Sequence, residues 1–286
     1  MTLRPLLSLA LAGTLPAFAL AAAADLKPLR DALTFHAPFD DTLDAAFSRG
    51  DTTALVPPAA TKGAPPPPMK DVLKIAPGEG KFGAALHVVK KNPYKPAYKG
   101  PGVLDYKAAN WSGSVSIWLR LTPDEDLEPG YCDPVQIVGG DTKKGFMFLE
   151  WSKDETPREF RYAIRPLVEI WNPKNQDWAK MSDAERPMVK LTKAPFSRTK
   201  WTHVVFTFDN LNAGKSGVGK LYLDGKLVGT LKGWDLTLGW EADKVQLVLA
   251  AAYVGYMDDL AVFNRTLTDA EVQQIHGLKN GIKDLR

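Results

Sequence analysis

Residues 254–278, "VGYMDDLAVFNRTLTDAEVQQIHGL", read as a strand, a turn and a short helix, and they set two acids, Asp258 and Asp259, inside the strand. Side chains alternate between the faces of an extended chain, so Asp258, Leu260 and Val262 fall on one side. If Leu260 and Val262 point into a core, the Asp258 carboxylate follows them. A charge buried there must be neutralised, hydrogen-bonded or bound to a metal. The alternative is a strand end facing solvent with both acids in water. Further on, Thr268 and Glu271 form an S/T-x-x-E capping box, with Leu267 and Val272 at the staple positions, so a helix begins near Asp269.

Upstream of this stretch the chain reads as β. "KFGAALHVV", "VSIWLRL", "DPVQIVG", "GFMFLEW", "FRYAI", "WTHVVFTFD", "GKLYLD", "KLVGTL" and "VQLVLAA" are short β-branched or aromatic runs bounded by Gly, Pro, Asn and Asp. Asp224-Gly225 marks a hairpin, because a type I′ turn needs positive φ at both central residues. No helical period persists before residue 269. The reading is all-β, two packed antiparallel sheets in a jelly-roll sandwich with a short C-terminal helix. The Pro-rich stretch near 57–70 reads as a stiff surface loop, since proline donates no ladder hydrogen bond.

The N-terminus reads as an export signal over 1–24: Arg4, an apolar run from Leu6 to Leu20, then small residues to Ala24. The expected location is secreted, periplasmic or cell-surface, with residues 25–286 as the mature domain. No later run approaches the roughly 20 apolar residues of a membrane helix. Cys132 is the only cysteine, which excludes an intrachain disulfide. A formal charge of +3 gives no basis for a nucleic-acid partner. "GKSGVGK" at 214–220 begins like a phosphate-binding loop but runs into the strand "LYLDG" where a helix is needed, so no nucleotide is expected.

Five of these segments together carry a family resemblance: "GKFGAALHV" at 80–88, "VSIWLRL" at 115–121, "WTHVVFTFD" at 201–209, "GKLYLDGKLVG" at 219–229 and residues 255–278. They resemble the laminin-G-like, concanavalin A-like lectin and glucanase jelly roll, as found in single LamG-type domains of secreted bacterial proteins. The fold carries lectins, adhesion modules and glycosidases alike, so it does not fix an activity. The resemblance implies a structural calcium between the N-terminal strand region and the closing strand, which here maps to Asp40 and Asp258. Calcium takes roughly six to eight hard oxygens, so backbone carbonyls of Lys81 or Gly80 would complete the set.

Hydrolysis needs two carboxylates roughly 5–9.5 Å apart. "FLEWSKDE" offers Glu150 and Asp154 on one strand face, about 13 Å apart at the strand rise, with Ser152 between them. No catalytic residue is therefore assigned. Aromatic rings are more numerous: Trp151, Trp171, Trp178, Trp234 and Trp240 fall in or after an irregular insertion near 151–196, and flat rings suit the apolar faces of sugars. The acidic stretch "TPDEDLEPGYCDP" reads as a solvated loop. The expectation is a non-catalytic module binding carbohydrate or an extracellular protein partner, with a polysaccharide hydrolase or lyase and a structural envelope protein as the alternatives.

Overall fold

The computed structural model describes residues 25–59 and 65–286. The export signal expected over 1–24 and part of the Pro-rich loop lie outside the described residues. The strands are β1 (Leu33–Ala37), β2 (Phe47–Ser48), β3 (Leu73–Ala76), β4 (Ala85–Val88), β5 (Ala97–Lys99), β6 (Trp111–Arg120) and β7 (Cys132–Val138). They continue with β8 (Phe146–Trp151), β9 (Phe160–Arg165), β10 (Met188–Leu191) and β11 (Thr202–Leu211). The last are β12 (Val218–Leu223), β13 (Lys226–Lys232), β14 (Gln246–Ala251) and β15 (Gly255–Phe263).

Two antiparallel sheets result. One runs β13-β12-β11-β6-β15-β1-β2, with β3 and β4 joined to it through β15; the other runs β10-β9-β8-β7-β14-β5. Every strand read from the sequence is present. Four short ones, β2, β3, β5 and β10, were not read, because two to four residues carry too little alternation to show a period. β9 and β10 belong to the second sheet, so the irregular insertion is narrower than 151–196 and spans about 166–187. Asp224 and Gly225 take φ of 47° and 76°, the positive pair that the hairpin requires.

The core lies between the sheets. Ile117, Leu119, Val204 and Phe206 from the first sheet meet Ile137, Leu149, Tyr162 and Leu249 from the second. A second apolar layer covers the outer face of the first sheet, where Val205, Tyr222, Ala261 and Phe263 pack under Val272, Ile275, Ile282 and Leu285. The C-terminal helix α1 (Asp269–His276) supplies that cover. Its capping box forms as expected: the Thr268 hydroxyl accepts from the Glu271 amide, and the Glu271 carboxylate accepts from the Thr268 amide. Leu267 and Val272 are buried beside each other's layer.

Asp258 does not point into the sandwich. Pairing of β15 with β6 slips between Asp258 and Ala261, and Asp259 takes φ 50°, so one extra residue is looped out as a β-bulge. Alternation restarts after it. Met257, Leu260 and Val262 face the core, whereas Asp258 stands opposite Trp118 on the outer face. The position also has a reason in the sheet: β4 pairs with Gly255–Met257, β1 pairs with Leu260–Phe263, and the two acids fall at the change of partner.

Candidate functional site

Two groups of buried charges stand apart from the core. The first is the clamp around Asp258 and Asp259. The β3–β4 hairpin loop folds over Asp258, whose Oδ2 accepts from the amides of Lys81 at 2.6 Å and Phe82 at 3.0 Å. Asp40 Oδ1 accepts from the Ala84 amide of the same loop, and its Oδ2 meets the Lys283 ammonium at 2.6 Å. Glycine is required where the loop closes on the acids: a Cβ on Gly83, at φ 121°, would lie 2.4 Å from Asp40 Oδ1. Asp259 accepts from the Ile282 amide at 3.0 Å and from His36 Nε2 at 2.8 Å, tying β1, β15 and the C-terminal turn together.

Asp258 is 1 % exposed, yet its Oδ1 has no hydrogen-bond partner. Burial, reinforced by the Asp259 charge, pushes its carboxyl up to about 7. An unpartnered, desolvated carboxylate oxygen fits a hard cation. The backbone groups of Lys81 and Phe82 that face the acid are amides, not the carbonyls expected from the sequence. Among the described residues no three His, Cys, Asp or Glu side chains gather at a single point, so any ion here draws on Asp40, Asp258 and backbone oxygens.

The second group lies on the outer face of the six-stranded sheet. Leu149, Trp151, Tyr162 and Ile164 point into the sandwich, so their neighbours Glu150, Arg161 and Arg165 point out. Glu150 and Arg161 are direct cross-strand partners, and Arg161 Nη1 donates to Glu150 Oε1 at 3.2 Å. Arg161 also donates to Glu159 at 2.5 Å and to Glu155 at 3.3 Å. Asp133 enters from β7, where Gln136 donates to its Oδ2 at 2.6 Å and its Oδ1 is unpartnered. Burial, then the Glu150 charge, pushes Asp133 up to about 7. Burial also raises Glu150, against the pull of Arg161.

Residues 166–187 cover this row. Trp171 and Trp178 meet edge to face at 5.7 Å. The Arg165 guanidinium sits 3.9 Å from the Trp178 centroid and 4.7 Å from that of Phe148, and Arg186 lies 4.7 Å from Trp178. Beside this cover a cleft of about 340 Å³ is lined by Tyr131, Trp178, Arg161, Arg186 and the turn Lys153, Asp154 and Glu155. Tyr131 is 40 % exposed, one of the few large rings or aliphatic chains left open to solvent.

Several expected site residues are placed elsewhere. Trp151 is fully buried against Phe160, Phe196 and Tyr253, and Trp240 fills the core beside Tyr106 and Trp111 while donating to the Gly145 carbonyl. Neither ring is open to a sugar. Trp234 is half-buried against the core. Only Trp171 and Trp178 of the five stand together. Asp154 follows the end of β8 in an exposed turn, so it shares no strand face with Glu150. The acidic loop is not free in water: Arg198 pairs with Glu125 and Asp126, and Arg158 donates its amide to Asp124. Asp133, Arg161, Arg165 and Tyr131 were not singled out from sequence, because a lone charged residue in a strand shows no sign of which neighbours share its face.

A further cleft of about 360 Å³ lies at the start of β15. Its groups pack on one another: His87 stacks on Tyr256 at 4.0 Å, Arg120 lies 4.2 Å from the same ring, and Glu79 pairs with Arg120 at 2.7 Å.

The sequence profile of the concanavalin A-like lectin/glucanases superfamily matches residues 105–273, more than half of the chain and every strand of both charged groups except β1 to β5. The chain belongs to that superfamily. Among curated proteins, none matches the sequence. Domain 4 of AbnA, an extracellular GH43 arabinanase of Geobacillus stearothermophilus solved with arabinotriose, is similar in structure at 17% identity and TM-score 0.51, over 85% of this chain and 97% of that one. The binding domain of botulinum neurotoxin DC, solved with rat synaptotagmin II, is similar at 15% identity and TM-score 0.54, over 90% of this chain and 52% of that one. The chain thus spans about half the length of the neurotoxin domain. At these identities the likeness is one of fold, and members of this concanavalin A-like superfamily include both binding domains and glucanases. No helix among the described residues is long and apolar enough to cross a membrane.

Proposed function

We propose that this chain is an exported, non-catalytic binding module that takes a carbohydrate at the Tyr131–Trp178 cleft. The observation that carries this reading is the exposed Tyr131 ring beside both donors and acceptors. Arg186 offers a donor, Asp154 and Glu155 offer acceptors, and the buried Arg161 holds Glu155 at the cleft wall. A sugar needs an apolar platform for one face and mixed hydrogen-bonding partners for its hydroxyls. The arabinotriose held by the arabinanase domain supports a glycan, and the synaptotagmin complex of the neurotoxin domain supports a protein partner as the second choice. Hydrolysis draws some support from Asp133, whose carboxyl burial pushes up to about 7, the range that suits a general acid. Asp133 and Glu150 are 7 % and 4 % exposed, however, beneath the covering loop, and Glu150 is held by Arg161.

A glycan array paired with a reducing-sugar assay tests this. Tyr131→Ala is expected to weaken binding about tenfold, the size of one anchoring contact, without change in melting temperature. Turnover that disappears in Asp133→Asn would replace the binding reading with the enzymatic one. We also propose that Asp40 and Asp258 hold a structural calcium ion that clamps β15 to the β3–β4 hairpin. Export predicts a mature N-terminus near residue 25, read by mass spectrometry of the secreted protein.

A further inference from the structure

The loop between β6 and β7, residues 121–131, crosses from the first sheet to the second, and a cleft opens on each side of it. Asp126 lines the cleft at the start of β15, and Tyr131 lines the cleft proposed for a carbohydrate. The two residues are five apart in the chain, so their Cα atoms lie within about 18 Å of each other. The loop is pinned from below. The Arg158 guanidinium donates to the carbonyls of Glu128 and Gly130, each at 2.9 Å, and the Lys91 ammonium donates to that of Pro129 at 3.1 Å.

The cleft at β15 has the parts of a sugar site. His87 and Tyr256 are cross-strand partners on β4 and β15, and their rings stack with 8° between the planes, which makes a flat platform. Among the described residues neither the His87 ring nor the Tyr256 hydroxyl has a hydrogen-bond partner, and neither is enclosed, so their polar edges are open to a ligand. Burial, then the Lys74 and Arg120 charges, pushes His87 down, so its neutral ring offers one donor and one acceptor. Arg120 lies between the Tyr256 and Trp201 rings, at 4.2 and 5.1 Å from their centroids. Its Nη2 donates to Glu79 Oε2, which leaves Nη1 as a donor and Glu79 Oε1 as an acceptor.

We infer, resting on the carbohydrate reading of the Tyr131 cleft, that the cleft at β15 is a second sugar subsite and that one glycan chain lies across the 121–131 ridge into both. The ligand class is then a polysaccharide held along its length, not a single sugar or a chain end. The two clefts carry matching chemistry on different residues: Tyr131, Arg186, Asp154 and Glu155 on one side of the ridge, Tyr256, Arg120, Glu79 and Asp126 on the other. They hold about 340 and 360 Å³, the low end for a ligand pocket, so each takes a short oligosaccharide by itself. For a chain seated in one cleft, contact with the other becomes intramolecular. Affinity therefore rises once the chain is long enough to cross the ridge and levels off beyond that length.

Isothermal titration with arabino-, xylo- and cello-oligosaccharides, each from the disaccharide to the octasaccharide, tests this. Within a ladder that binds, wild-type affinity should rise about tenfold or more at one chain length and stay level beyond it. Tyr256→Ala should remove that step without changing affinity for the shortest oligosaccharide that binds, whereas Tyr131→Ala should weaken short and long chains alike. Tyr256→Phe keeps the stack on His87 and removes only the hydroxyl, so it carries the test if the alanine variant does not fold; it should weaken long chains alone, by about two- to tenfold. Affinity that never depends on length, or a step that survives both Tyr256 variants, overturns the second subsite and leaves the Tyr131 cleft standing. Short-chain binding undiminished in Tyr131→Ala overturns the Tyr131 assignment and the shared chain with it. Failure of all three ladders to bind overturns both readings.

Discussion

Asp258 and Asp133 are both aspartates buried on the outside of a sheet, each has one unpartnered oxygen, and each is pushed up to about 7 by burial. Their surroundings differ. Asp258 is surrounded by backbone: two amides of a glycine-bearing loop that also donates to Asp40, and a bulge that carries Asp259. Asp133 is surrounded by side chains: Gln136, Glu150 and, beyond it, the buried Arg161 with its three carboxylates. A backbone cradle holds its carboxylate without side-chain rearrangement, because its amides are fixed by the fold. A side-chain network compensates its own charge, and it fails when one member is removed. The first region is held by fixed backbone groups, whereas the second is held by side chains that compensate one another.

The sharpest way to break this contrast is to remove one cation from each region. Arg161 is 2 % exposed, and Arg161→Met leaves Glu150 buried without its partner, so urea unfolding should show a loss of ~3–5 kcal/mol. Lys283→Met removes a pair whose members are 44 % and 24 % exposed, and should cost less than ~1 kcal/mol in chelator. Equal losses would mean that the two regions are alike.

A smaller effect sharpens the contrast from the other side. Calcium at a hundredfold excess over its dissociation constant should stabilise wild type by about 2.7 kcal/mol relative to chelator, if it binds the folded state alone. Asp258→Asn should abolish that difference and Asp133→Asn should leave it intact. If wild type melts at the same temperature in both buffers, the clamp holds no ion.

The smallest effect is in the pH dependence. A carboxyl at about 7 when folded and 3.8 when unfolded binds more protons in the native state between those values, so its contribution to stability falls as pH rises from about 4 to 7. Three units set an upper bound near 4 kcal/mol, and relaxation around the charge brings the expected fall to ~1–2 kcal/mol per group. In chelator both aspartates contribute. In calcium the Asp258 part should vanish, because the ion keeps it charged, and Asp133→Asn should then flatten the remainder. A slope unchanged by Asp133→Asn in calcium would place the titrating group elsewhere.

Much of the fold was legible without the structure. Alternation of apolar residues is a local property, so "WTHVVFTFD" and "VQLVLAA" announce strands wherever they sit, and Asp224-Gly225 and the Thr268–Glu271 box announce a turn and a helix start through bonds between near neighbours. Asp40 and Asp258 were paired from the family resemblance, and they do close on one loop. The face of Asp258 was not legible, because a single looped-out residue at Asp259 reverses the alternation and leaves no mark in composition. Nor were the fates of the tryptophans, since Trp151 and Trp178 differ only in which face of one sheet they meet. The sequence by itself determined what pairs along the chain, because those contacts span a few residues. Which side chains share a surface depends on register between strands far apart in the chain, as in His36 and Asp259, 223 residues apart, and only the tertiary structure decided that.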